Sequence, residues 1–490
     1  MTKKMVLMFG LLVSCILSSC AMKTLEILKN ETFLDLVINH GRVIDPETGL
    51  DAVKNVGIVN GRIEIITNQE LKGKQMLDAT GFIVSPGFID LHSHAQNIYG
   101  QTYQVRDGVT TALELEWGKW GTESMPELLD KRQGSSLINY GYSAGYAYGR
   151  YLEKGEDEKK TYHEIADAAE REHIFFQVKQ DLNNGAIGIG LPLDYFSRGV
   201  NDSELEGLFR LAAKYQMPLF IHIRVADQPD NPRGFQELID MARKTGASFH
   251  MVHIVSTGLQ RVPLYIDMMD QARAEGLDIT TELYPYTASS TGINSGIFDH
   301  DWQSKFSISY GDIEWPPTGE RFTGKKMWDE YRKKYPEGIV IQHKMKEQWV
   351  ESAIRHPGIM IASDSMEISS LEQRAHPRGM GTYSRVLGRY VREKKMLSLP
   401  EAISKMSYLP AKRLEAFTPM MKRKGRLQVG ADADITIFNP DTVIDRATYI
   451  EPNQFSEGIV HVIVSGQIVV KKGNIRKGIF PGKPIDTRSH

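Results

Sequence analysis

Between residues 85 and 420 the chain alternates short apolar runs with helical stretches, a pattern that restricts it to βα units around a parallel sheet. Eight runs can be read: GFIDLH (87–92), VTTALELE (109–116), INYGYSAG (138–145), AIGIG (186–190), PLFIHI (218–223), SFHMVHI (248–254), DITTEL (278–283) and GIMIAS (358–363). Between them, segments such as DSELEGLFRLAAKYQ (202–216) and FQELIDMARKTG (235–246) carry apolar residues at i, i+3 and i+4, the stripe of a helix that covers a sheet. Eight units predict an α/β fold of the TIM (β/α)8 barrel type; a doubly wound open sheet is the alternative.

Short alternating strands precede this region (LDLVINHGRVID, VGIVNGRIEIIT, MLDATGFIVS), and similar ones return in ADADITIF (431–438) and IVHVIVSGQIVV (459–470). A small β-sandwich is therefore expected from 34–84 and 421–480 together, with the barrel of 85–420 inserted between its halves. The stretch 284–357, between the seventh and eighth runs, is too long for a structureless loop and is expected to form a lid.

The N-terminal 1–20 reads as a targeting segment: Lys3 and Lys4, the apolar run Met5 to Leu17, then Ser18-Ser19-Cys20. Leu17-Ser18-Ser19-Cys20 resembles the lipobox of bacterial lipoproteins, which implies a lipidated Cys20 and a cell-envelope location facing the periplasm. A plain secretory signal or a short membrane anchor are the alternatives. No other stretch is apolar for the roughly 20 residues a bilayer helix needs, so membrane contact is expected only through Cys20. The two cysteines, Cys15 and Cys20, both fall in this leader. The rest of the chain therefore offers no disulfide, thiolate nucleophile or cysteine metal ligand. With 59 Lys plus Arg against 61 Asp plus Glu and no long like-charge block, nucleic acid is not an expected partner.

In a barrel enzyme the site lies at the C-terminal ends of the strands. The first run places Asp90, His92 and His94 on one face by alternation, so two imidazoles converge. The fifth run gives His222, the sixth His253, and the eighth ends in Ser363-Asp364. One strand histidine is commonly a hydrogen-bonded core residue; four of them and an aspartate, all at strand exits, point to a metal. His250 competes with His253 but sits three residues earlier, with its side chain on the opposite face. His343 and His376 lie in the lid or loops and are expected at the surface or behind the ligands.

These residues belong to a wider set: SPGFIDLHSH, GVTT, GAIGIGLPLDY, IHIR, VHIV, YPYTASST, IASDS, HPRGMGTYSRVLGRY and the closing GRLQVGADADITIF. In this order they resemble the amidohydrolase superfamily, and within it the N-acyl-D-amino-acid deacylase (D-aminoacylase) branch, over residues 34–475. The resemblance implies a TIM barrel with a split β-sandwich. It also implies His92 and His94 as a first metal pair, His222 and His253 as a second, and Asp364 as the catalytic acid-base. Arg378 would receive the substrate's α-carboxylate, with Tyr284, Ser290 and Tyr195 as further substrate contacts.

The chain departs from that branch at two places. Where D-aminoacylases use a metal-binding Cys, the local sequence is Glu114-Leu115-Glu116-Trp117, and Trp117 cannot ligate. Glu116, nearer the strand exit, is the candidate bridging carboxylate, and Glu114 the reserve. The carbamylated Lys of hydantoinases has no counterpart in the fourth run, since Lys179 precedes that strand on a helix. Val255 stands where the deacylases often carry a substrate-binding Lys.

The expected activity is metal-dependent hydrolysis of a linear amide in a small, carboxylate-bearing N-acyl (D-)amino acid. One or two divalent ions, zinc first and manganese, nickel or iron also compatible, would activate water, with Asp364 moving its proton. The alternatives are a cyclic-amide hydrolase of the dihydroorotase or hydantoinase kind, an isoaspartyl-type dipeptidase, and a non-catalytic binding lipoprotein.

Overall fold

The computed structural model describes residues 34–196, 198–224, 232–299 and 301–488; the leader and Cys20 lie outside them. The first strands are β1 (Leu36–Asp45), β2 (Leu50–Val59), β3 (Arg62–Thr67), β4 (Gln75–Asp78) and β5 (Ile83–Pro86). The barrel follows with β6 (Phe88–Asp90), β7 (Val109–Glu114), β8 (Asn139–Tyr142), β9 (Ile189–Leu191), β10 (Leu219–Ile221), β11 (Phe249–Met251) and β12 (Ile279–Leu283). Next come β13 (Ser289–Gly292), β14 (Ile313–Trp315), β15 (Glu320–Arg321) and β16 (Ile339–Gln342), then β17 (Ile359–Ile361). The chain closes with β18 (Ile435–Phe438), β19 (Ile459–Val464), β20 (Gln467–Lys471) and β21 (Asn474–Ile475).

All eight apolar runs are strands. β6-β7-β8 and β9-β10-β11-β12-β17 pair in parallel in chain order. Two parallel bridges, Ala144 to Ile189 and Ser93 to Ser365, join these sheets at both seams. The hydrogen bonds Ala144 N to Gly188 O (2.9 Å) and Asp364 N to His92 O (2.8 Å) do the same. The sheet thus closes into a barrel without free edges, which excludes the open-sheet alternative.

The terminal strands form one nine-stranded sheet, ordered β21-β20-β19-β18-β5-β1-β2-β3, with β4 also on β1. Its core mixes both ends of the chain, with Leu36, Ile38, Val56 and Ile63 packed with Ile435, Ile437 and Ile463. Phe88, fully buried, ties this unit to the barrel by stacking on Tyr383 (5.4 Å between centroids) and packing against Phe438 (6.4 Å).

Within 284–357, β13, β16, β14 and β15 form an antiparallel sheet whose first strand lines the barrel mouth. The last part of the segment is not lid. The helix Glu347–Arg355 packs on the barrel helix Val262–Ala274 and leads into β17, as an ordinary βα connection does.

Candidate metal centre and active site

His92, His94, Glu116, His222, His253 and Asp364 all sit just beyond strand ends, and the barrel brings them together. Glu116 is the hinge of the cluster. Its Oε2 lies 3.1 Å from His92 Nε2 and 3.3 Å from His94 Nε2, and Asp364 Oδ1 lies 3.5 and 3.3 Å from the same two nitrogens. Its Oε1 lies 2.8 Å from His222 Nδ1 and 3.6 Å from His253 Nε2. One carboxylate therefore faces two histidine pairs, one oxygen to each.

Four donors bound at zinc's ordinary bond lengths in a tetrahedron lie about 3.3 Å apart. The distances from Glu116 Oε2 to the two imidazoles, 3.1 and 3.3 Å, match edges of such a tetrahedron, and Asp364 Oδ1, 3.5 and 3.3 Å from the same nitrogens, borders its fourth corner. The charges agree. Against the effect of burial, Asp364 and Glu116 push the His92 imidazole up to about 10, and burial notwithstanding, His92 and its neighbours hold Glu116 well below the usual carboxylate range. Carboxylates buried this close together need positive charge beside them, and a divalent ion held by the imidazoles would supply it. The residues present fit a divalent ion: ligand atoms of His92, His94 and Asp364 lie close enough to share one, as do those of His92, Glu116 and His253.

The ligands are held from behind. Glu114, the reserve candidate, accepts from His94 Nδ1 at 2.7 Å and from the Trp117 backbone N–H at 3.1 Å; it stands behind His94, while Glu116 faces both histidine pairs. Thr257 Oγ1 lies 3.0 Å from His253 Nδ1. Asp90 binds His92 N, Ser363 N and Ser363 Oγ (3.2, 3.0 and 2.5 Å), pinning the end of β6 to that of β17.

Glu282 on β12 was not among the residues expected in the site, yet it is buried and holds both pairs. Its Oε1 lies 3.1 Å from His92 Nδ1 and accepts from His253 N at 2.6 Å, while Oε2 contacts His250 Nε2. Although burial opposes it, His250 and His92 hold this carboxyl well below its ordinary range. His250 thus stands behind Glu282, with Nδ1 on Thr280 Oγ1 at 2.7 Å, and His253 is the one that faces Glu116. The usable signal was a charged residue in the interior of an otherwise buried strand.

Two site residues adopt left-handed backbone, His253 (φ 37°) and Asp364 (φ 51°). Such conformations cost about 1–3 kcal/mol each and persist only where the surroundings enforce them. Here the bonds from His253 N to Glu282 and from Asp364 N to His92 O do so, turning each side chain into the site immediately after its strand.

Above the cluster opens a cavity of about 410 Å³. Trp117, Tyr162, Tyr195 and Phe306 form apolar walls; Tyr284 and Ser290 also line it. Tyr195 packs edge-on against His222 (5.1 Å) and its hydroxyl meets Thr291 Oγ1 at 3.0 Å. Ser290 Oγ donates to Val340 O at 3.1 Å.

Arg378 stands behind Asp364. Its side chain is fully buried outside the cavity lining, 2.8 Å from Asp364 Oδ1 and 4.4 Å from the Tyr284 ring centroid. Its first contact is thus with Asp364, and, against burial, it is the largest influence holding that carboxyl below the ordinary carboxylate range. His376 is buried rather than superficial, bonded to Ala288 O (2.9 Å) and to Arg378 N (3.0 Å). His343 lies in the lid against Glu314 at 2.9 Å.

The chain resembles known proteins along most of its length. A sequence profile described as amidohydrolase family matches residues 350–470. N-acyl-D-glutamate deacylase of Alcaligenes xylosoxydans xylosoxydans is 30% identical over 467 residues, covering 88% of this chain and 93% of the relative. This chain belongs to the amidohydrolase family. D-aminoacylase of the same organism is 27% identical over 477 residues, covering 88% of this chain and 93% of the relative. N-acyl-D-glutamate deacylase from Bordetella bronchiseptica, solved with zinc and a phosphonate mimic of the tetrahedral intermediate, superposes with a TM-score of 0.76 at 27% identity. That match covers 92% of this chain and 99% of the other.

This amidohydrolase fills the two departures with its own side chains. Trp117 forms part of the cavity wall, 5.0 Å from the Tyr195 ring, while its neighbour Glu116 takes the position between the histidines. Val255 is buried in the core and brings no charge to the cavity.

Proposed function

We propose that this amidohydrolase cleaves the amide bond of a linear N-acyl-D-amino acid, releasing a carboxylic acid and the free amino acid. The observation that carries this reading is Glu116 between two histidine pairs, with Asp364 beside the first, at the floor of a partly apolar cavity. The relatives that share this chain's length act, by their names, on N-acyl-D-amino acids.

His92, His94, Glu116, His222 and His253 would hold one or two divalent ions, zinc by their N and O donors, which when bound polarise the amide carbonyl and acidify water. Asp364 Oδ1, kept ionised by Arg378, takes a proton from the attacking water. The water oxygen bonds to the carbonyl carbon, the C–N bond breaks with its electron pair on nitrogen, and Asp364 returns the proton there. Trp117 and Tyr195 receive the acyl group and exclude bulk water. Arg378, beside Asp364, is placed near the α-carboxylate of the departing amino acid, and a planar guanidinium suits that group.

Cyclic-amide hydrolysis is the weaker reading, because β9 contains no lysine to carry a carbamate. Asp364→Asn should retain metal and lose about 10²–10⁴-fold in turnover. Unchanged metal content with unchanged turnover would eliminate Asp364 as proton carrier.

Cys20 we propose to be lipidated, holding the enzyme at the envelope of a bacterial cell. The support is the Leu17-Ser18-Ser19-Cys20 sequence after an apolar run. Among the described residues no helix is long and apolar enough to cross a membrane.

A further inference from the structure

The barrel mouth holds a cation that the amide chemistry does not use. Lys344 follows β16 on the lid, lines the active-site cavity with Phe306, and continues into a smaller cavity of about 140 Å³ bordered by Arg261, Lys305 and Lys346. Its ammonium sits 3.9 Å from the Phe306 ring centroid. Among the described residues no carboxylate lies within ion-pair distance of it. Lys305, by contrast, is matched by both oxygens of Asp194 at 3.1 Å. Burial, and after it the charge of Lys305, push the Lys344 ammonium down to about 7, as befits a cation short of a counter-ion.

Two cations therefore stand at different places, Arg378 behind Asp364 and Lys344 on the cavity wall. The α-carboxylate of an N-acyl amino acid is one carbon from the scissile nitrogen, so it must bind beside Asp364, where Arg378 stands. Lys344 lies beyond ion-pair distance of Asp364 and can reach only a carboxylate farther along the amino acid. Glu158, Glu337 and Glu367 also line the cavity, but they are exposed, and solvent screens them. Lys344 is half-buried against an aromatic ring, where a charge-assisted hydrogen bond is stronger.

We propose that Lys344 receives the side-chain carboxylate of the substrate, so that the preferred substrates are N-acyl amino acids with an acidic side chain. This rests on the deacylase reading above, and it places in the lid a positive charge that Val255 does not provide.

The test compares wild type, Lys344→Met and Lys344→Arg, each metal-quantified and with its thermal midpoint measured, on N-acetyl-D-glutamate and N-acetyl-D-leucine. Calorimetric binding of glutarate, which cannot be hydrolysed, is measured alongside. Lys344→Met should raise KM for N-acetyl-D-glutamate about tenfold or more with kcat changed less than about threefold. It should weaken glutarate comparably and leave N-acetyl-D-leucine within about twofold, and Lys344→Arg should recover most of the loss. Equal losses on both substrates, or none on the glutamate derivative, would overturn the proposal. Glutarate binding that depends on Lys344, in an enzyme that hydrolyses neither substrate, would remove the deacylase reading and keep the site. Hydrolysis of N-acetyl-D-leucine with glutarate binding indifferent to Lys344 would do the reverse, and failure of both readouts would remove both.

Discussion

Glu282 offers a sharp test of the metal centre, because it touches no substrate and reaches the ligands only from behind. One oxygen, Oε1, serves a ligand of each pair: His92 through Nδ1 at 3.1 Å and His253 through its backbone N–H at 2.6 Å. Its negative charge makes His92 Nε2 a better donor, and its geometry enforces the left-handed turn at His253. Groups that orient metal ligands in this way are worth about 10- to 100-fold in metal affinity, or roughly 1.4–2.7 kcal/mol. Glu282→Gln keeps an acceptor oxygen and loses the charge, so it should lie near tenfold; Glu282→Leu loses both bonds and should approach about 100-fold. Competition of each variant with a chromophoric zinc chelator measures this, with circular dichroism as the control for folding. Zinc affinity within about twofold of wild type in a folded Glu282→Leu protein would refute the reasoning, since the bonds it breaks would then not hold the ligands.

Other consequences are independent of Glu282. Gly190 on β9 lies so close to the Glu116 backbone that a Cβ would come within 2.5 Å of Glu116 O; Gly190→Ala should displace Glu116, costing about 1–3 kcal/mol of stability together with metal affinity, and an unchanged metal titration would contradict it. Phe88→Ala removes a fully buried ring packed between Tyr383 and Phe438 and should cost about 3–5 kcal/mol in denaturant unfolding; a loss under about 1 kcal/mol would mean that this junction carries little of the stability. Cys20→Ser should move the protein from the membrane to the soluble fraction and abolish labelling by a palmitate analogue, and retention in the membrane would argue for another anchor.

Much of the site was legible because a barrel converts sequence order into spatial convergence. Histidines that close β6, β10 and β11 need no tertiary information to be placed at one end of a parallel sheet. Glu116 could be preferred over Glu114 because alternation puts both on one face and only Glu116 lies past the strand end. What alternation does not give is depth. Glu282 looked like the second of two charged residues in DITTEL, and its role depends on β12 being flanked by β11, which carries His250 and precedes His253. Arg378 follows Asp364 through a loop of irregular backbone, and no periodicity tells whether its side chain enters the cavity or backs the carboxylate. Lys344 depends on the lid sheet pairing β16 with β13 and β14, a long-range register invisible in a segment without period. The same holds for the terminal strands, whose alternation announced strands without revealing one continuous nine-stranded sheet.

The central claim is that Glu116, four histidines and Asp364 hydrolyse a linear N-acyl-D-amino acid. Assay of purified, metal-quantified protein against N-acyl-D- and N-acyl-L-amino acids, dipeptides and hydantoins tests it directly. The expected result is turnover of N-acyl-D-amino acids that is lost on chelation and restored by a divalent ion. Turnover confined to hydantoins, or unaffected by removal of the metal, would contradict it.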